Sequence, residues 1–530
     1  MNPENNSSSA DADVTPSGSG GSLTRNVGVN LARYGALLAV GFVLLPVIIH
    51  RLGVQRYGFW ALASEVTGYF IYLDLGIRNA VGYYIALYAA QRSGRDLNET
   101  AATAFWASVT TGTVLTVAGF GLAQIFPFLF HITGDNIPEV RYAVILLSAA
   151  AGIGLPVELL NAVLNGYRRI DIAGTIDALS RSGAAIAMLA ALMMGGGLFA
   201  LGMIQLISRL AALIAAWLAV RRVMTDLSLS LPRHVRLHSF RRLIGYGVPT
   251  TMINLCSLAI SRTDLILIGM LLGVRAASLY SIPRSLLEYA NTGVQSLVNA
   301  FGAHFTHLHG ERRTADLIEL FRKGARIAGV GVFLLTAWMA AFGHDFLALW
   351  QGPAFVSGPW TSRADVALLI LVAAFLPRML AGITGQLFLA TGLLSFLVRV
   401  TALEAIVKVG LSFWLIRSLE LAGAAIANLI PIAVFEGFAI AGYLFRSFPI
   451  SPGRLLSEWL ARPAMVGVLA WAASYMLIRF REPVTWPLFL AEASAAAIFG
   501  MVAAYLWGIS ADERETIGRI VRASTVRAGQ

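Results

Sequence analysis

Apolar runs of about twenty residues or more recur along the chain from Val27 to Trp507, each long enough for a helix to cross a bilayer. The pattern predicts helices over 27–50, 57–88, 101–130, 141–165, 171–194, 198–220, 244–271, 278–303, 322–343, 365–390, 393–417, 420–445, 463–480 and 485–508. The expected fold is an all-α polytopic membrane protein with about fourteen helices, twelve at the fewest. With 57% hydrophobic and only 13% charged residues, no soluble domain of 530 residues reads this way.

The net charge of +11 invites a nucleic-acid reading, but its distribution opposes one. Most of the 40 basic residues cluster at one alternating set of segment ends, among them Arg92/Arg95, Arg168/Arg169, Arg221 to Arg242 and Arg312/Arg313/Arg322/Lys323. This positive-inside bias predicts cytoplasmic termini in a multi-pass membrane protein, with the basic ends facing anionic lipid. No segment is long enough to build a folded basic face with aromatic platforms for nucleic acid. The single cysteine, Cys256, excludes a disulfide framework.

The expected organisation is a polar, disordered cytoplasmic tail (1–24), an N-lobe of six helices (25–220), a cytoplasmic linker (221–243), a C-lobe of six helices (244–445), two additional helices (446–510) and a basic cytoplasmic tail (511–530). Leu52-Gly53-Val54 precedes the second predicted helix and Leu272-Gly273-Val274 the eighth, in a common register that also matches Trp60 with Tyr280 and Tyr69 with Tyr289. Both copies start on the same side of the membrane. They therefore describe parallel repeats related by a pseudo-twofold axis along the membrane normal, around a central cavity.

Charges inside the spans cost about 2.5–3.5 kcal/mol each on insertion scales, so they face a partner or a cavity. Four pairs sit one helical turn apart: Asp74/Arg78, Asp177/Arg181, Arg284/Glu288 and Glu404/Lys408. That spacing allows each pair to neutralise itself on one helix face. The seventh predicted helix carries a polar stripe of Asn254, Ser257, Ser261 and Asp264, and the eighth carries Arg284, Glu288, Asn291, Gln295 and Asn299. The second helix carries Glu65, Tyr69, Tyr72, Asn79 and Tyr83, roughly opposite Asp74 and Arg78. Such stripes must be buried in protein or line water.

The ensemble predicts a cavity whose arginines bind an anion, with Arg33, Arg78, Arg262, Arg284 and Arg378 as candidates, because guanidinium forks onto phosphate oxygens. Tyr69, Tyr72 and Asn291 are candidates for sugar contacts. Asp74, Asp264, Glu404 and Glu436 lie deep enough to couple a proton or sodium ion. His304, His307 and His309 lie at the end of the eighth helix and read as a solvated loop rather than a metal site. Pro46, Pro156, Pro249, Pro377 and Pro431 fall within helices and allow kinks. No nucleotide loop, nucleophile elbow or zinc motif is present, and no cofactor or metal is expected.

The run from Leu52 to Leu62, with Tyr57-Gly58-Phe59-Trp60, followed by Leu73-Asp74-Leu75-Gly76, resembles the opening of Wzx-type O-antigen and exopolysaccharide flippases. These belong to the multidrug/oligosaccharidyl-lipid/polysaccharide (MOP) exporter superfamily. Asp264, Gly269 and Gly273 resemble the family's seventh helix. The resemblance implies two lobes around a cationic cavity, as in MATE-like transporters. It implies a transporter rather than an enzyme, moving an undecaprenyl-pyrophosphate-linked oligosaccharide to the outer leaflet for lipopolysaccharide O-antigen or exopolysaccharide synthesis, by ion-driven alternating access. A polysaccharide polymerase and a chain-length regulator are the expected protein partners. The rival readings are a multidrug or cation antiporter, a membrane glycosyltransferase or ligase, and an assembly scaffold.

Overall fold

The computed structural model describes residues 41–508, other than Val43, Leu75, Arg92, Arg168, 225–234 and 480–484, together with Arg514. Arg33, both expected tails and the middle of the linker lie outside these residues. Every expected apolar segment coincides with helix among the described residues, the first from residue 41 onward. The elements are α1 (44–52), α2 (Val54–Gly68), α3 (Ile77–Ala90), α4 (Gly94–Leu129), α5 (Asn136–Gly166), α6 (Ile170–Met193), α7 (Leu198–Val223) and α8 (Leu237–Leu271). They continue with α9 (Val274–Gly310), α10 (Thr314–Gln351), α11 (Ala364–Ala373), α12 (Phe375–Ala390), α13 (Leu394–Pro431), α14 (Ala441–Ser447), α15 (Pro452–Ile478) and α16 (Trp486–Gly508). Ten segments among the described residues are long and apolar enough to cross a membrane.

The longest of these, Ser395–Ser447, has 53 residues. Straight, it would run for about 80 Å, far beyond a hydrocarbon core of about 30 Å. Glu420 breaks it with φ 50° and ψ −126°, so two helices follow one another there, in line with the separate segments 393–417 and 420–445 expected from the sequence. Pro377 has no N–H to donate to the Ala373 carbonyl, and the helix is interrupted at Ala374, between α11 and α12. Pro431 opens a wider-wound turn, Ile432–Ile440, that carries Glu436.

Helices α3 to α7 pack on one another in the N-terminal half, and α8 to α13 in the C-terminal half. Between lipid-exposed helices, packing and polar contacts hold the bundle together, because hydrocarbon supplies no hydrophobic drive. Helix α2 bridges the halves, touching α5, α8 and α9. There Phe59 and Leu62 of α2 are buried with Leu265, Ile268 and Tyr280. The repeated Leu-Gly-Val corners share one backbone geometry: Gly53 has φ 83°, ψ 160° before α2, and Gly273 has φ 90°, ψ 174° before α9. An L-residue rarely adopts that positive φ, which is why glycine recurs at both.

The expected continuous helix over 57–88 is corrected. A tight turn, Tyr69–Asp74, separates α2 from α3, and Gly76 follows it with φ 72°. The reason is local and tertiary at once. The Asp74 carboxylate accepts the backbone N–H groups of Gly76 (3.0 Å) and Arg78 (3.3 Å), which caps α3. A Cβ on Gly76 would lie 2.3 Å from the Gly247 carbonyl oxygen of α8. Gly76→Val should therefore destabilise the protein by about 1–3 kcal/mol, through overpacking and strain. Gly410→Ala, which meets nothing within 4 Å, should not. Thermal unfolding of the purified variants in detergent distinguishes the two.

Candidate functional site

Three clusters of charge lie inside the bundle, and in each one residue is shared by two oppositely charged partners. The first joins the halves. Glu65 of α2 receives Arg262 of α8 at 3.2 Å and Arg284 of α9 at 2.9 Å. The Glu65 side chain is 9% exposed, while Arg284 keeps 16% and Arg262 keeps 28% exposure. Two guanidinium groups thus share one carboxylate. Glu288, one turn further along α9, makes no ion pair within 4 Å among the described residues, although its charge still acts on Arg284. Tyr69 meets Thr263 at 3.2 Å beside this cluster.

The second cluster lies in the N-terminal half. Glu158 of α5 faces Arg78 of α3 at 3.6 Å and Arg209 of α7 at 4.0 Å. Again two cations share one acid. Arg78, Asn79, Tyr83, Glu158, Asn161 and Asn165 line a cavity of about 460 Å³.

The third cluster reverses the ratio. Arg378 of α12 lies 3.1 Å from Glu436 and 3.7 Å from Glu404 of α13. A cavity of about 430 Å³ opens beside them, lined also by Ser257, Ser261, Asn291 and Gln295. Behind it, Lys408 is fully buried against Asp264 at 2.9 Å and also donates to the Ile260 carbonyl. Ser412 donates to the same Asp264 carboxylate at 3.0 Å.

Among the described residues, the one-turn pairing expected from the sequence holds only at Asp177/Arg181, at 2.8 Å, where both charges act on Arg209 of the second cluster. The other three expected pairs are corrected. Asp74 caps its own helix while Arg78 turns to Glu158; Arg284 turns to Glu65; Lys408 turns to Asp264 while Glu404 faces Arg378. Spacing places such groups on one helix face, but a neighbouring helix supplies a partner at shorter range with better geometry. The histidines at 304, 307 and 309 do not form a loop, because α9 continues through them to Gly310. Tyr72 lies half-buried in the turn before α3, outside all three clusters.

The polar stripes did point to the cavities: Ser257, Ser261, Asn291 and Gln295 line the third cluster, and Asn299 accepts from Gln386 at 3.0 Å. The hub role of Glu65 and the whole pairing of Glu158 with Arg209 were missed. Their signal was a lone charge in an otherwise apolar span, which a search for within-helix pairs passes over.

Because Asp74 acts here as a helix cap, Asp74→Asn should keep stability near wild type, whereas Asp74→Leu should lose about 1 kcal/mol. Melting temperatures in detergent read this directly. A large loss of stability in Asp74→Asn would show that the carboxylate charge, and not its hydrogen bonding, matters.

The family profile described as "Polysaccharide biosynthesis protein" matches residues 23–301, more than half of the chain. The chain is 20% identical over 511 residues to the "Uncharacterized membrane protein EpsK" of Bacillus subtilis (strain 168), covering 93% of this chain and 97% of that one. In fold it is similar to the lipid II flippase MurJ in an inward closed conformation, with TM-score 0.69 at 10% identity over 91% of this chain and 98% of MurJ. It is also similar to an inward-facing multidrug resistance MATE family transporter of the MOP superfamily, with TM-score 0.61 at 16% identity over 78% of this chain and 96% of that one. The helical bundle, the repeated glycine corners and the sequence match agree: this membrane protein belongs to the family of polysaccharide biosynthesis proteins and has the MOP transporter fold.

Proposed function

We propose that this protein is a flippase that carries a polyprenyl-pyrophosphate-linked oligosaccharide across the cytoplasmic membrane during O-antigen or exopolysaccharide synthesis. The observation that carries this reading is the direct contact of two guanidinium groups with one carboxylate where the two halves meet, at Glu65, Arg262 and Arg284. A pyrophosphate needs multidentate donors that stay charged, and two arginines sharing one acid retain donor capacity for it. A second such contact, of Arg78 and Arg209 with Glu158, lies beside asparagines and Tyr83 that suit sugar hydroxyls. Lipid-facing helix surfaces suit the polyprenyl chain. A carrier that releases its cargo unchanged needs no catalytic group, so the protein is not an enzyme. Transport is driven by an ion gradient through alternating access of the two lobes (25–220 and 244–445), with both termini cytoplasmic.

The test is movement of the lipid-linked saccharide in liposomes that hold the purified protein. Saccharide in the opposite leaflet, shielded from or exposed to an impermeant periodate reagent, reports translocation. No protein-dependent movement would overturn the proposal. A second reading, a cation antiporter, is favoured by the third cluster, where two carboxylates face one guanidinium. Drug resistance conferred on an efflux-deficient host, without saccharide movement, would favour it instead.

A further inference from the structure

We propose that Glu404 and Glu436 hold one exchangeable proton between them against Arg378, forming the proton-binding site of this protein. The inference rests on the transporter reading and names the ion that the third cluster takes. It starts from a count of charge on every element that packs there. Helix α12 contributes Arg378, α13 contributes Glu404 and Lys408, and the turn after Pro431 contributes Glu436. Helix α8 contributes Arg262 and Asp264, with Ser257 and Ser261 neutral; α9 contributes Arg284 and Glu288, with Asn291 and Gln295 neutral; and α10, which packs on α9 and α12, carries the buried Arg326.

The cations other than Arg378 are engaged elsewhere. Lys408 is held by Asp264 and the Ile260 carbonyl, Arg262 and Arg284 are held by Glu65, and the Arg326 charge acts on Glu319. Among the described residues, Arg378 alone lies within ion-pair range of Glu404 and Glu436. It donates to both oxygens of Glu436, at 3.1 and 3.4 Å, and only approaches Glu404 at 3.7 Å. Glu404 is 2% exposed, and its Oε1 accepts no hydrogen bond among the described residues although the residue lines the cavity.

A second negative charge this deep needs compensation, and a proton taken from the cavity supplies it by forming one O–H bond on a carboxylate oxygen. The remaining carboxylate and Arg378 then balance, and the cluster is neutral. Sodium fits less well. It needs a shell of several oxygens, and here it would sit beside a guanidinium of like charge.

The test is pH-difference infrared spectroscopy of the full-length protein in lipid nanodiscs, following the stretching band of protonated carboxyl groups. Wild type should show a band that vanishes as pH rises. Glu404→Gln and Glu436→Gln should each abolish it, because either leaves one acid for one arginine. Arg378→Gln should raise it about twofold, since both acids then lack a counter-charge. If one glutamine variant fails to fold, the other carries the comparison. A band that persists in both, or no titrating band in wild type, overturns the proposal, as does its loss on adding sodium at fixed pH. Saccharide movement is a separate readout. If it is absent while this band behaves as stated, the flippase reading fails and the proton site stands.

Discussion

Lys408→Met should destabilise the protein by about 3–5 kcal/mol, the loss expected when one member of a buried ion pair is removed. The pair lies in the driest part of the bundle, with Lys408 at 0% and Asp264 at 2% side-chain exposure, 2.9 Å apart. Ser412 and Tyr280 turn their hydroxyls to the same carboxylate, at 3.0 and 3.5 Å. Those bonds are arranged for an ionised acid. Without the ammonium group, a negative charge stays in a place that water cannot reach, and the Ile260 carbonyl loses its donor. The double variant Asp264→Leu with Lys408→Met should recover most of the loss, because replacing both charges by apolar groups is often close to neutral. Thermal unfolding in detergent and size-exclusion profiles measure this. A double variant as unstable as the single one would show that the pair organises α8 and α13 by more than charge.

Arg262→Ala and Arg284→Ala should each abolish or nearly abolish polymer export while leaving folded protein in the membrane. A lost charge-assisted hydrogen bond costs about 1.5–3 kcal/mol, roughly 10- to 100-fold in affinity for an anion. Folding should survive for a reason absent at Lys408. Glu65 has two cationic partners, so removing either leaves a neutral pair across the two halves. Lysine at 262 or 284 should rescue poorly, because an ammonium group cannot fork onto two phosphate oxygens. Polymer on the cell surface, set against the amount of protein in membranes, is the readout. Normal polymer in both alanine variants would sink the cationic-cavity proposal.

The contrast between these predictions follows from how charges are shared. Where partners match one to one, as at Asp264 and Lys408, we propose a structural pair. Where they do not, at Glu65, Glu158 and Arg378, we propose that the cluster takes a further charged species. Single residues seen in sequence carry no such ratio.

Local chemistry was legible from the chain itself. Apolar length located the helices, the break near residue 420 and the interruption before Pro377, because bilayer thickness and backbone geometry act on contiguous residues. The Leu-Gly-Val repeat was legible because the same positive φ demands glycine at both corners. Polar spacing in α8 and α9 located a cavity face, because three- and four-residue steps fall on one side of any helix. What only the tertiary structure decided is which charge answers which. Asp74 and Arg78 are one turn apart in sequence, yet the acid caps its own helix and the arginine pairs across the lobe. Electrostatic partnership depends on distance and desolvation between helices, and those are settled only when the bundle packs.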